Sequence, residues 1–168
     1  DKYEVPRIAF VNKLDRTGAS FNFCLESMRT RLGVHPVPIM LPIGLEADYL
    51  GNIDLITMKA KYFGEGDDDT AFTERDIPDE LKDAANQARH EMIEAACMVD
   101  DNLLERFLED ETKISSEEIT DALRMGTVQR KLLVVLCGAA LRNKGVQATL
   151  DGICDFLPSP LDQPPVTG

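Results

Sequence analysis

Asn12, Lys13, Leu14 and Asp15 carry the spacing Asn-Lys-x-Asp, and its chemistry suits a guanine base. A carboxylate only accepts, so Asp15 can receive two parallel hydrogen bonds from the ring N–H and exocyclic amino group of guanine; adenine lacks that donor pair. A buried site built around those donors rejects an analogue without them by roughly 10⁴-fold or more, because its carboxylate is left unpaired. Lys13 can lay its methylene stem along the base face, and Asn12 offers both a donor and an acceptor.

Alone, the tetrapeptide fits an ordinary surface turn better than a binding loop, and its context reverses that. Ile8, Ala9, Phe10 and Val11 precede it as an apolar run with no polar alternation, the pattern of a strand covered on both faces in a parallel sheet. The polar cluster then falls at the strand's carboxyl end, where open α/β sheets dock ligands. Phe21, Leu25, Met28 and Leu32 follow at helical spacing, predicting a helix over 21–32.

A second apolar run, Leu132 to Cys137, leads into Gly138, Ala139, Ala140 and Leu141. It reads as the next strand of the same sheet. Residues 145–157 read as the helix after it, with Val146, Leu150, Ile153, Cys154 and Leu157 facing inward. The small residues let backbone approach a ligand, and an N–H there is placed to donate to the guanine carbonyl oxygen. A strand-helix-strand crossover needs only ~30 residues. Far more chain separates these two strands, so residues 37–131 are expected to be an insertion.

Charge marks the same boundary. The net charge of −12 is concentrated in residues 37–131, which hold 23 acidic and 10 basic residues, against 7 and 8 elsewhere. Such a surface repels phosphate backbones, so no direct nucleic-acid contact is expected of the insert. A solvated face kept for solubility explains the charge as well as a binding surface does.

The insert has its own grammar. Residues 37–44 and 53–63 read as strands with a turn at 49–52 between them, and 71–75 as a further short strand. Asp67, Asp68 and Asp69 form an acidic loop without further ligands at cation-binding spacing. Leu81, Ala85, Ala88, Met92, Ala96 and Val99 make one stripe, predicting an amphipathic helix over 79–98. A second helix is expected over 101–108, with Leu103, Leu104, Phe107 and Leu108 on one side. A third begins at Ser115, with Glu118 completing a capping box, and is expected to stop at Gly126.

Composition excludes other classes. A hydrophobic fraction of 43% and a charged fraction of 29% are those of an ordinary globular domain. No apolar run reaches the ~18 residues a membrane span needs, and no signal-peptide pattern is present. Cys24, Cys97, Cys137 and Cys154 are scattered without Cys-x-x-Cys pairing, which predicts reduced thiols and a cytoplasmic protein. His35 and His90 are assigned no role, and no catalytic or metal-ligating residue is assigned anywhere. The start at Asp1 and the Pro-rich stretch 158–168 suggest a piece of something longer.

The run from Asp1 to Ala19, the run Leu141-Arg-Asn-Lys-Gly-Val-Gln147 and the run Asp155-Phe-Leu-Pro-Ser-Pro-Leu-Asp162 resemble the elongation factor G family of ribosomal translocase GTPases. The resemblance covers the whole chain. It implies the C-terminal half of a P-loop GTPase domain, an α/β fold, formed by residues 1–36 and 132–168 around an inserted α+β subdomain. It implies GTP or GDP as ligand, read by Asn12, Lys13, Leu14 and Asp15 and closed over by Gly138, Ala139, Ala140 and Leu141. Magnesium belongs to the full-length parent. The implied partners are the ribosome and, through the insert, the stalk protein of the large subunit, whose contact is placed on the acidic helix 79–98. The family carries a serine where Ala139 stands, and its hydroxyl helps hold the aspartate of the first loop; its loss should cost about 1 kcal/mol.

No Gly-x-x-x-x-Gly-Lys-Ser/Thr loop cradles phosphates, and no Asp-x-x-Gly switch, magnesium ligand or water-positioning residue is recognised. The 168 residues are therefore expected to be inactive as a GTPase by themselves. Two other readings stay open at this level: a protein-binding module that uses the acidic insert, or a paralogous translational GTPase of the recycling, organellar or ribosome-protection type.

Overall fold

The computed structural model describes residues 5–64, 72–159 and 162. Three strands form a parallel sheet: β1 (Ile8–Val11), β7 (Leu133–Cys137) and β2 (Pro36–Pro38), in the order β1-β7-β2. The middle strand is β7, and its Val134, Val135, Leu136 and Cys137 are fully buried. Burial of each such side chain contributes about 1.5–3 kcal/mol, so the unbroken apolar run belongs where it is covered on both faces. Phe10 pairs in register with Leu136, and Val37 with Val134.

Helix α1 (Phe21–Leu32) returns from β1; Ser20 caps its start by accepting from the N–H of Phe23, and Gly33 ends it at φ 61°. The antiparallel sheet has the order β3 (Met40–Ile43), β4 (Gly51–Asp54), β5 (Lys59–Phe63), β6 (Phe72–Arg75). Helices α2 (Asp79–Cys97), α3 (Asp101–Asp110) and α4 (Ser116–Val128) then lead back to β7, and α5 (Val146–Phe156) follows it. One hydrophobic core runs through both sheets, joining Val134 and Leu136 to Ile53, Leu55, Met92 and Leu123.

Several expected boundaries move. Residues 37–44 are two strands in different sheets, hinged at Ile39, whose N–H donates to Val135 O while its carbonyl accepts from the N–H of Leu55. Pro36 and Pro38 lack an N–H, which suits β2 to the outer position of its sheet. Residues 53–63 form a hairpin rather than one strand, because Asp54 Oδ1 accepts from the N–H groups of Ile56 and Thr57 and turns the chain. The turn expected at 49–52 comes earlier, as a 3₁₀ turn over Glu46–Asp48, and Gly51 and Asn52 lie within β4. The capping box at Ser115 and Glu118 is present. Its helix nevertheless continues past Gly126, where a side chain would meet Leu132 Cδ2 at 2.5 Å, so this glycine serves packing and not termination. The acidic residues Asp67, Asp68 and Asp69 lie outside the described residues, as does most of 158–168.

Two apolar faces also differ from expectation. On α5 the buried residues are Gly152 and Phe156, whereas Leu150, Ile153 and Cys154 are exposed. On α3 only Leu103 is buried, and Leu108 is 76% exposed. The α5 end is fixed instead by Arg124 of α4, which donates to the carbonyls of Cys154 and Asp155 and reaches Asp162 at 2.7 Å.

Candidate functional site

The two loops singled out in the sequence emerge side by side, because β1 and β7 are parallel neighbours and Val11 pairs with Cys137 at their carboxyl ends. Asn12 Oδ1 accepts from the N–H of Lys13 at 2.8 Å and from the N–H of Ala140 at 3.0 Å, so one side chain cross-links the loops. Both bonds fix the amide orientation and leave its NH₂ as the donating side. Lys13 is exposed and adopts φ 66°, a left-handed conformation that turns the chain sharply between Asn12 and Leu14.

Leu14 lies almost wholly buried, with its N–H donating to Gly138 O at 3.1 Å. Its side chain therefore anchors the loop in the core instead of lining a ligand surface. Asp15 follows, its side chain only 7% exposed, with Arg142 Nε 3.2 Å from Oδ2. A carboxylate has about four lone-pair positions, so this contact leaves acceptors for a ligand.

The second loop is tight. Ala139 and Lys144 exchange backbone hydrogen bonds of 2.9 and 3.2 Å, with Asn143 at φ 53° and Gly145 at φ 79° closing the turn. A side chain at Gly138 would meet Lys144 O at 2.3 Å and the Phe10 ring at 2.7 Å. The close approach that demands glycine here is thus to the chain itself. Ala139 is buried, while Ala140 and Leu141 are exposed, Leu141 at 85%. Because the N–H of Ala140 serves Asn12, a base carbonyl arriving there has to share or displace that bond.

Residues outside the two motifs complete the arrangement. Lys144 Nζ donates to Tyr49 O at 2.8 Å and sits over the rings of Tyr49 and Phe63. Asn52 of β4 donates to Cys137 O at 3.1 Å, immediately before the second loop. Glu46 touches the first loop twice. Arg142 at least sits in a run that carries the family resemblance; Glu46 carries no signal in sequence, its partner Gly18 lying 28 residues away, and the Cys137 carbonyl that Asn52 meets lies 85 residues on.

The spelling Asp-x-x-Gly occurs at 15–18 and 48–51. The first overlaps the Asn-Lys-x-Asp loop and the second runs from the 3₁₀ turn into β4, so neither follows a phosphate-binding strand and helix. Among the described residues no three His, Cys, Asp or Glu side chains come together as a metal site, and none is assigned to magnesium.

Two loops are thus cross-linked at the carboxyl ends of adjacent parallel strands, one bearing Asn-Lys-x-Asp, in an α/β domain that has an antiparallel sheet and three helices between β2 and β7. The chain belongs to the Elongation factor Tu GTP binding domain family, which it matches over residues 1–159. It is similar to elongation factor G of Thermotoga maritima, 51% identical over 168 residues, covering 100% of this chain and 24% of that protein. Elongation factor G of Thermotoga neapolitana matches to the same extent, at 51% identity. A crystal structure of a protein from Thermus thermophilus superposes with a TM-score of 0.79 and 31% identity, covering 94% of this chain and 23% of the other. The chain spans about a quarter of the length of these relatives.

Proposed function

We propose that this chain supplies the guanine-recognition half of an elongation factor G-type GTPase, whose full-length form uses GTP binding and hydrolysis to move tRNA and mRNA through the ribosome in the cytoplasm. The division into residues 1–36 and 132–168 around an insert of 37–131 is part of this reading. The observation that carries it is the bond from the N–H of Ala140 to Asn12 Oδ1 beside the sheltered carboxylate of Asp15. Asp15 accepts from the ring N–H and amino group of guanine, Asn12 offers its NH₂ to the base edge, and Lys13 covers the base face. Ala140 and Leu141 rim the opposite side. Phosphate positioning, magnesium and water activation belong to segments outside this chain, and the 168 residues alone turn over no GTP.

The test is calorimetric titration of GDP and xanthosine diphosphate into the full-length parent and its Asp15→Asn variant. The variant should lose GDP affinity and gain xanthosine diphosphate affinity, since xanthine presents a carbonyl where guanine presents its amino group. GDP binding indifferent to the change would make these loops structural.

The ribosomal contact of the insert is proposed to be the stalk protein of the large subunit, met by the outer face of α2. Glu80, Asp83, Glu91 and Glu94 are all exposed there, opposite the buried Ala85, Met92 and Ala96. Charge reversal at Glu91 and Glu94 should slow association with ribosomes in a salt-dependent way. An unchanged on-rate at low salt would remove α2 from the contact.

A further inference from the structure

The loop that bears Asp15 is held by a residue of the insert. Glu46 begins the 3₁₀ turn between β3 and β4, and its N–H donates to Leu14 O at 2.7 Å. Its carboxylate Oε1 accepts from the N–H of Gly18 at 2.8 Å. The two bonds bracket Asp15 on both sides. Since the N–H of Leu14 is bonded to Gly138 O at 3.1 Å, the backbone of Leu14, the residue ahead of Asp15, is fixed between the second loop and the insert.

The backbone around Glu46 is built for this contact. Glu46 itself has φ 56°, a conformation that glycine or asparagine adopts far more readily than glutamate. Gly44, at φ 74°, lets the carbonyl of Asp48 come within 1.8 Å of where a Cβ would stand, which brings the turn back over the sheet. A left-handed position occupied by a long acid, when a glycine would relieve it, points to a task for the carboxylate. That carboxylate spends its acceptor on a backbone N–H 28 residues away in the loop that carries Asp15.

We propose that Glu46 is a positioning residue for guanine recognition: by gripping Leu14 and Gly18 it sets the direction of the Asp15 carboxylate, so that selectivity for guanine depends on the insert. This rests on the reading of Asp15 as the base-reading residue. Glu46 does not touch the base. It holds the peptide whose next side chain does.

The experiment uses the full-length parent with Glu46→Gln, Glu46→Ala and Glu46→Gly, and Asp15→Asn as a separate arm. Dissociation constants are measured for GDP and for inosine diphosphate, which lacks the amino group, together with thermal stability. Glu46→Ala and Glu46→Gly should weaken GDP about ten-fold, the effect of one lost hydrogen bond to a charged group, and should lower the preference for GDP over inosine diphosphate. Glu46→Gln keeps an acceptor and should stay within about three-fold of the parent. Glu46→Gly also relieves the left-handed backbone, so it should match or exceed Glu46→Ala in stability while sharing its binding defect. A preference for GDP that is unmoved in both Glu46→Ala and Glu46→Gly, while Asp15→Asn still abolishes it, overturns the positioning role and leaves the guanine reading standing. A GDP loss that merely tracks thermal stability across the variants overturns it as well. If Asp15→Asn has no effect, the guanine reading fails and takes this inference with it.

Discussion

Asn52 is the buried polar group on which the two sheets meet, and substituting it gives a magnitude that can be worked from its partners. It is 4% exposed. Its Nδ2 donates to Cys137 O at 3.1 Å and approaches Met40 Sδ at 3.3 Å, and its Oδ1 accepts from the Tyr49 hydroxyl at 2.8 Å. Burial pushes the Tyr49 phenol far above its ordinary range, so the hydroxyl stays a donor throughout neutral pH. Asn52→Leu has nearly the right volume but strands the Tyr49 hydroxyl and deprives Cys137 O of this donor. At about 1–3 kcal/mol for each of these two groups, the loss is about 2–6 kcal/mol, a large part of the stability of a domain this size.

Tyr49→Phe removes the donor alone and should cost about 1–2 kcal/mol. Oδ1 of Asn52 then keeps only the weak Cys137 Sγ–H contact at 3.5 Å. The double variant should cost less than the sum by about 1 kcal/mol, because the hydroxyl stranded by the first change is absent in the second. Urea midpoints with an unchanged slope would measure all three. An Asn52→Leu cost below about 0.5 kcal/mol would refute the claim that this side chain pins the second loop to the insert, and strict additivity in the cycle would refute the Tyr49–Asn52 bond.

Acid should expose the Arg106–Glu118 pair. The guanidinium of Arg106, followed by the N–H and hydroxyl of Ser115, holds the Glu118 carboxyl down from the ordinary 4.5 to about 2. A folded value below the unfolded one means stabilisation that is full above about 4.5 and lost as pH falls toward about 2. Glu118→Gln should flatten the stability profile over that interval, read from urea midpoints at successive pH values; an unaltered slope would count against the pair. Beside Asp15, Arg142→Ala removes a cation that is 64% exposed, so solvent screening limits its effect. GDP binding in the full-length parent should weaken less than about five-fold, under about 1 kcal/mol, and a larger loss would show that Arg142 does more than neutralise Asp15. Ala139→Ser in the same background should recover part of the deficit.

What was legible in the sequence was whatever lies contiguous along the chain. Asn12 to Asp15 stand out because four adjacent residues hold the Asn-Lys-x-Asp spacing and an apolar strand leads into them. The capping box at Ser115 is legible for the same reason, its two partners being three residues apart. Glu46 is not: its partner Gly18 lies 28 residues away, and nothing in Gly44-Leu-Glu-Ala-Asp48 distinguishes it from a surface turn. Asn52 is hidden in another way. Within Leu50-Gly-Asn-Ile53 it reads as a turn residue, and only the 85-residue return of β7 supplies the carbonyl that makes its burial tolerable.

The faces of α5 show the limit of periodicity itself. Val146, Leu150, Ile153 and Leu157 do share one side at helical spacing, but the side turned into the molecule is that of Gly152 and Phe156. Gly152 lets Leu136 of β7 approach, its Cδ2 lying 3.1 Å from where a Cβ would stand, so helix and sheet close together along a seam of small size. Leu150 and Ile153 then remain 52% and 44% exposed. A helical repeat tells which side chains look in one direction. Whether anything packs there depends on what the neighbouring element offers, and on α5 a glycine opposite Leu136 brings the helix closer than the larger residues on the adjacent stripe permit.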